Sequence, residues 1–223
     1  MPLNEQRQFK VKEIIAGLDK CDSLIDFGCG SGMMLGLLIN FELVKNVIAI
    51  DQQEFFLKEL VELLDVTERD VKYPRARPLT IEVYKGDILL YDARLLDKDI
   101  LLSIEVIEHL PIPAVPVYTQ MIFETYQPKY VIISTPNFDF NTMMGWERLR
   151  NTDHKFEWTK QEFIEWCEKC CKYGYEYEWI GCGLKNEVYA TQFAVFKFIG
   201  TKRTITEMSL PLELFKHIVY PHE

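Results

Sequence analysis

Short β-rich runs alternate with helical patterns along nearly the whole chain, a glycine-rich loop opens directly after the first such run, and two β-rich runs close the series. Together these features predict a Rossmann-like α/β domain: a mostly parallel, seven-stranded sheet with covering helices and a C-terminal antiparallel hairpin.

The elements follow in order. Residues 5–19 carry Phe9, Ile14, Ile15 and Leu18 at near-helical spacing and predict a leading helix. Ser23–Phe27 reads as strand one, 33–41 as a helix, Asn46–Asp51 as strand two, and 54–64 as a helix with one apolar face. Pro74 and Pro78 interrupt the pattern, so 73–78 is expected as an exposed loop. Strands three, four and five are expected at 79–84, 100–105 and 130–134, with a helix inside 113–125. Residues 135–157 lack periodicity, and a loop of that length inside a domain is usually functional or disordered. A helix over 158–171 leads to the closing β-rich runs at 175–180 and 191–199.

A chain of 223 residues suits one domain, placed at 1–200 with 201–223 as a C-terminal tail. The 48% hydrophobic and 26% charged composition is that of a globular protein and opposes long disorder. The most apolar stretches, 35–39 and 194–199, are too short to span a bilayer, so no membrane partner is expected. The first residues carry no basic and then apolar leader, and a cytoplasmic monomer is the expectation. Cys167-x-x-Cys170 lies in an expected helix with no second pair to complete a zinc site, so free thiols are expected. The net charge of −9 opposes a long phosphate-tracking surface but permits a nucleic acid gripped at one end.

Asp26-Phe27-Gly28-Cys29-Gly30-Ser31-Gly32 sits where a strand gives way to a helix, and its glycines let backbone approach a ligand closely. The loop alone does not separate a dinucleotide from S-adenosylmethionine, because helix-opening N–H groups receive phosphate or carboxylate alike. Its spacing lacks the third-glycine placement of the dinucleotide fingerprint, and with Asp26 it resembles the first motif of class I methyltransferases. Asp51, ending strand two, is placed to accept hydrogen bonds from ribose hydroxyls or to cap the next helix. Asp87, after strand three, falls where that superfamily carries an acid near the adenine. Asp26, Gly28, Gly30, Asp51 and Asp87 are the expected cofactor residues.

Ser103-Ile104-Glu105-Val106-Ile107-Glu108-His109-Leu110 puts two carboxylates and an imidazole at the carboxyl end of strand four, the edge that carries ligands in open α/β sheets. A helical continuation after Glu105 would bring Glu105, Glu108 and His109 onto one side. Small-molecule methyltransferases carry similar Glu-x-x-Glu-His runs. The distinguishing segment is Asp153-His154-Lys155-Phe156-Glu157-Trp158-Thr159 with Glu162-Phe163, preceded by Ser134-Thr135-Pro136-Asn137 and Phe140-Asn141. With Pro2-Leu3 and Gln6-Arg7-Gln8-Phe9, these residues resemble the small-RNA 3′-terminal 2′-O-methyltransferases of the Hua-enhancer type over about residues 2–199.

The resemblance implies a class I methyltransferase fold and a divalent ion, magnesium or manganese or else cobalt or iron, held by Glu105, Glu108, His109 and His154. It implies a chain with the methyltransferase domain alone, as in animal-type members, acting on the 3′ end of small single-stranded RNA of the PIWI-interacting or small interfering type. An Argonaute or PIWI protein would be the presenting partner. A ribose 2′-OH needs a metal or a base to react at neutral pH, and a terminal 2′,3′-diol chelates an ion as an internal nucleotide cannot. His109 and His154 are both candidates for the proton acceptor. A catechol or quinone-pathway O-methyltransferase, whose adjacent hydroxyls would chelate similarly, is the rival reading.

Overall fold

The computed structural model describes residues 1–19, 21–39, 44–205 and 208–222. Five parallel strands form the centre of the sheet: β1 (Ser23–Phe27), β2 (Asn46–Asp51), β3 (Leu79–Lys85), β4 (Ile100–Ile104) and β5 (Tyr130–Pro136). Apart from β3, where Thr80 and Glu82 are only half-buried, each is almost continuously buried, because both of its faces are covered. Leu24 points into one core with Val11, Leu35, Leu57 and Leu60, while its neighbour Ile25 points into the other with Tyr118, Phe123, Phe163 and Phe196. This period-two division makes three layers, with helices on either side of the sheet.

On the first face lie α1 (Leu3–Gly17), α2 (Met33–Leu38) and α3 (Glu54–Leu63), followed by the short α4 (Glu68–Lys72). Residues 40 and 41 of the helix expected over 33–41 lie outside the described residues. On the second face, α5 (Val115–Gln120) runs into a π-helical turn over Met121–Tyr126, which presents Phe123 edge-on to Trp166, Tyr175 and Phe196. Trp166 belongs to α7 (Lys160–Cys170), whose start is set by a reciprocal capping box between Thr159 and Glu162. Cys167 and Cys170 are buried on α7 as free thiols. No helix among the described residues is long and apolar enough to cross a membrane.

The strand order is β6-β7-β5-β4-β1-β2-β3-β8. The expected hairpin is present as β6 (Tyr175–Lys185) and β7 (Val188–Phe198), with β7 antiparallel to β5. Both strands run further than their apolar residues suggested, because Leu184↔Tyr189 and Lys185↔Val188 carry the pairing to the tip. Among the described residues eight strands rather than seven make the sheet, since the segment expected as a tail contributes β8 (Glu213–Tyr220), antiparallel to β3. β8 is apolar mainly on one face, where Ile218 and Tyr220 are buried, and the Tyr220 hydroxyl donates to the Leu64 carbonyl at 2.5 Å.

The order reverses between β1 and β4: β1 pairs with β2 on one side and β4 on the other, leaving a crevice beyond their carboxyl ends. The glycine loop after β1 and the Glu105–His109 segment after β4 meet there. A Cβ on Gly28 would come within 2.8 Å of Val106.

If β8 is an integral strand, Ile218→Ala should cost about 2–4 kcal/mol of stability. Denaturant unfolding reads this as a lower midpoint at unchanged slope, and a loss below about 0.5 kcal/mol, the scale of ordinary surface substitutions, would return 213–220 to the status of a tail.

Candidate active site

Two adjoining regions share the crevice. The first is a cavity of about 280 Å³ whose walls include Arg7, Asp26, Gly28, Gly30, Met34 and Glu105. Gly28 and Gly30 hold φ of 66° and 52°, a left-handed conformation that residues with a Cβ rarely adopt. Nothing lies within 4 Å of the Cβ position of Gly30, so its backbone faces open space into which a ligand fits. Asp51 Oδ2 accepts the Gly30 amide at 3.0 Å, and Oδ1 accepts the Gln53 amide at 2.8 Å where α3 begins. The N-cap of α3 is Gln53, with no side-chain cap, so Asp51 braces the turn before the helix rather than capping it, and each carboxylate oxygen keeps a lone pair for a hydroxyl. Asp87 accepts the Leu89 amide at 2.9 Å in the turn after β3.

Asp26 is buried at the floor of this cavity, and its Oδ2 has no hydrogen-bond partner among the described residues. Burial, with the charge of Asp51 added, pushes its pKa up to about 7. A buried carboxyl in this state calls for a cationic ligand group. The wall formed by Asn4, Arg7 and Gln8 of α1 was not assigned to the cofactor site from sequence; an amphipathic pattern shows only which helix face is buried.

The second region lies where two distant segments meet. Lys155 N–H donates to the Glu108 carbonyl at 2.7 Å, bringing the loop before α7 against the turn after β4. One ligand atom each from Glu108, His109 and His154 then lie within 4.8 Å of one another, and the two imidazoles meet edge to face at 4.8 Å. Glu108 is fully buried; its Oε2 accepts the Thr135 hydroxyl at 3.1 Å, whereas Oε1 has no partner among the described residues. Burial and the nearby Glu105 push its pKa well above the usual carboxylate range. Desolvation and the adjacent His154 push His109 below the ordinary imidazole value, favouring the neutral ring that ligates metals. An orphaned buried carboxylate oxygen beside two imidazoles fits a divalent cation, which would satisfy Oε1 and offset the buried charge.

Glu157 orients this group, a role not assigned from sequence although its signal, a His-x-x-Glu spacing, was present. Its carboxylate takes the Arg150 amide at 2.6 Å, the Asn141 side-chain amide at 2.5 Å and Nδ1 of His154 at 2.5 Å. Because an ionised carboxylate only accepts, the proton sits on Nδ1 and leaves Nε2 of His154 with its lone pair free for a ligand. Asn141 is supplied by α6 (Phe138–Met143), a helix inside the loop that had no readable periodicity. Gln192, buried on β7, donates to the carbonyls of Pro136 and Trp158 at 3.3 and 3.0 Å and pins both ends of that loop. Aromatic contacts of Trp158 with Phe156, Phe163 and Trp166 anchor its C-terminal end.

Glu105 is the member of the expected four that the structure does not bring into the group. The chain does not continue as a helix after β4: Glu105 has φ of 56°, Val106 φ of −121°, and only Ile107–His109 form a 3₁₀ turn. The helical offsets therefore do not apply. Its carboxylate pairs with Arg7 at 3.2 Å and accepts the Ser134 hydroxyl at 2.9 Å, facing the cofactor cavity from the opposite side of the crevice.

This sheet order, with a glycine loop after β1 and acids after β2 and β3, defines a class I methyltransferase fold. No family model matches the chain. The small RNA 2′-O-methyltransferase of Schizosaccharomyces pombe is 30% identical over 99% of this chain and 68% of its own length. That of Rattus norvegicus is 31% identical over 97% of this chain and 56% of its own. A crystal structure of the small RNA methyltransferase HEN1 superposes on the whole chain with a TM-score of 0.85 and 30% identity, covering 28% of that protein. The chain belongs to the small RNA 2′-O-methyltransferase family. It spans just over half the length of the rat and mouse relatives.

Asp26 takes up its proton more readily folded than unfolded. The contribution of Asp26 to stability is therefore fully present below its unfolded pKa of 3.8 and is lost as pH rises to about 7, by an amount on the order of a few kcal/mol, against the opposite trend of carboxylates such as Glu54 and Asp92 whose pKa is lowered. Asp26→Asn should flatten that fall and raise the melting temperature of the ligand-free protein at neutral pH. Equal pH dependence of melting in both proteins would show that the carboxyl is not so perturbed.

Proposed function

We propose that the chain transfers a methyl group from S-adenosylmethionine to the 2′-OH of the 3′-terminal ribose of small single-stranded RNA, protecting that end. The observation that carries this reading is the convergence of Glu108, His109 and His154 beside the cofactor cavity. Family membership supports RNA as the substrate. RNAs of the PIWI-interacting or small interfering class, presented by an Argonaute-type protein, are the proposed physiological form, and a monomer suffices for the site.

In this mechanism Asp26 receives the ammonium of the methyl donor, the backbone at Gly28 and Gly30 admits its close approach, Asp51 takes the ribose hydroxyls and Asp87 lies toward the base. Glu108, His109 and His154 would hold a divalent cation, magnesium or manganese or else cobalt or iron, with Glu105 a fourth ligand once released from Arg7. Bound there, such an ion would supply the Lewis acidity that lowers the pKa of a ribose hydroxyl, and a terminal 2′,3′-diol has two oxygens to offer it. His154, its Nδ1 proton committed to Glu157, has only Nε2 to offer, to the cation or to the proton of the hydroxyl but not to both, and His109 stays neutral; whichever of the two rings is not on the cation accepts the proton. The rest of the protein's contribution is orientation, holding the oxygen in line with the methyl carbon.

Incubation with labelled methyl donor and a short RNA should methylate a 2′,3′-diol end and spare a 3′-deoxy end. Chelator, Glu108→Ala or His154→Ala should reduce turnover by about a hundredfold or more while donor affinity, read by calorimetry, changes less than about threefold. Methylation of catechols in preference to RNA, or full activity of both variants in chelator, would defeat the proposal.

A further inference from the structure

Arg150 is not explained by the chemistry above. Its Nε and Nη2 reach only uncharged oxygens: Asn141 Oδ1 at 3.3 and 3.0 Å and the Asn137 carbonyl at 3.4 Å. Nη1 is shielded from solvent and has no hydrogen-bond partner among the described residues. Glu157, Glu105 and Glu108 lie close enough for their charges to act on Arg150, but none accepts a hydrogen bond from the guanidinium; Glu157 is taken by the Arg150 backbone amide, by Asn141 and by His154. A guanidinium cannot shed its proton, so the sheltered Nη1 still calls for an acceptor that the described residues do not supply.

The location says which anion. Arg150 and His154 line one hollow of about 450 Å³, together with Arg148, Asn151 and Thr152. His154 belongs to the group that would receive the terminal ribose, so the hollow begins at the reacting nucleoside and extends outward from it. The only charge such a nucleoside carries is the phosphodiester on its 5′ side, and the planar fork of arginine matches phosphate oxygens. Asn141 bridges Glu157 and Arg150, so the carboxylate that orients the His154 ring also sets the guanidinium. In a chain of net charge −9, one arginine placed here supplies local compensation for a single phosphate.

We propose that Arg150 binds the last phosphodiester of the substrate, so that the enzyme requires a charged linkage immediately 5′ of the ribose it methylates. This rests on the RNA-end reading above. The methylated unit is then a terminal nucleoside with its 5′ linkage, and a free nucleoside is a poor substrate.

The test compares three short RNAs: unmodified, with an uncharged methylphosphonate at the last linkage, and with it one linkage further in. The wild type should lose about tenfold or more in kcat/KM for the first replacement, mostly through KM, and about twofold or less for the second. Arg150→Gln should be impaired on unmodified RNA and indifferent to the last-linkage replacement, with donor affinity and melting temperature retained. A wild type that methylates all three within about twofold, or an Arg150→Gln protein that still discriminates, overturns the inference while leaving the function intact. If Arg150→Gln does not fold, the wild-type comparison decides alone. A wild type that methylates no RNA end removes the underlying reading, and this inference with it.

Discussion

The backbone hydrogen bond from Lys155 N–H to the Glu108 carbonyl joins the two halves of the site. Glu108 and His109 belong to the turn after β4 and His154 to the loop before α7, and the edge-to-face contact of the two imidazoles closes the same seam. Its geometry depends on supports at both ends. The β4 end is set by the crevice, where the Val106 side chain occupies the space that a Cβ on Gly28 would need. The loop end is set by Gln192, by the Thr159–Glu162 cap and by the stacked rings of Trp158, Phe163 and Trp166. The polar groups of the site thus stand on a rigid aromatic and β-sheet base, which is what the proposed in-line transfer would demand.

The central strands were legible because buried parallel strands are apolar runs with sharp ends; β1 and β2 match their expected limits residue for residue. β8 was not, because its inward residues Ile218 and Tyr220 sit among exposed Leu214, Lys216, His217 and Val219, and an edge strand packed on one face leaves no continuous run. α6 was hidden for a related reason: six residues are under two helical turns, too few for periodicity to register.

The site divided in the same way. Glycines, Asp26 and the His154 motif were readable because backbone strain and ligand chemistry restrict residue type. The place of Glu105 was not, since it depends on a left-handed residue that breaks the helical phase, and no pattern of side-chain types reports that. Glu157 and Arg150 lay in plain view within the motif region. Their partners, Asn141 and Asn137, come from α6 and its cap, so their roles appear only once that short helix is in place.

The added strand β8 changes the outline of the molecule as well as its stability. A sheet of this order has two open borders, and an unguarded border invites strand-by-strand growth between copies. Here one border is the bulged β8, whose register slips opposite Val83 and Tyr84 and which exposes Glu213, Lys216 and His217. The other is β6, with Glu176, Glu178 and Lys185 along it. Both borders combine irregular backbone or charge in a way that resists lateral templating, so the sheet ends in two edges that a second copy cannot readily extend.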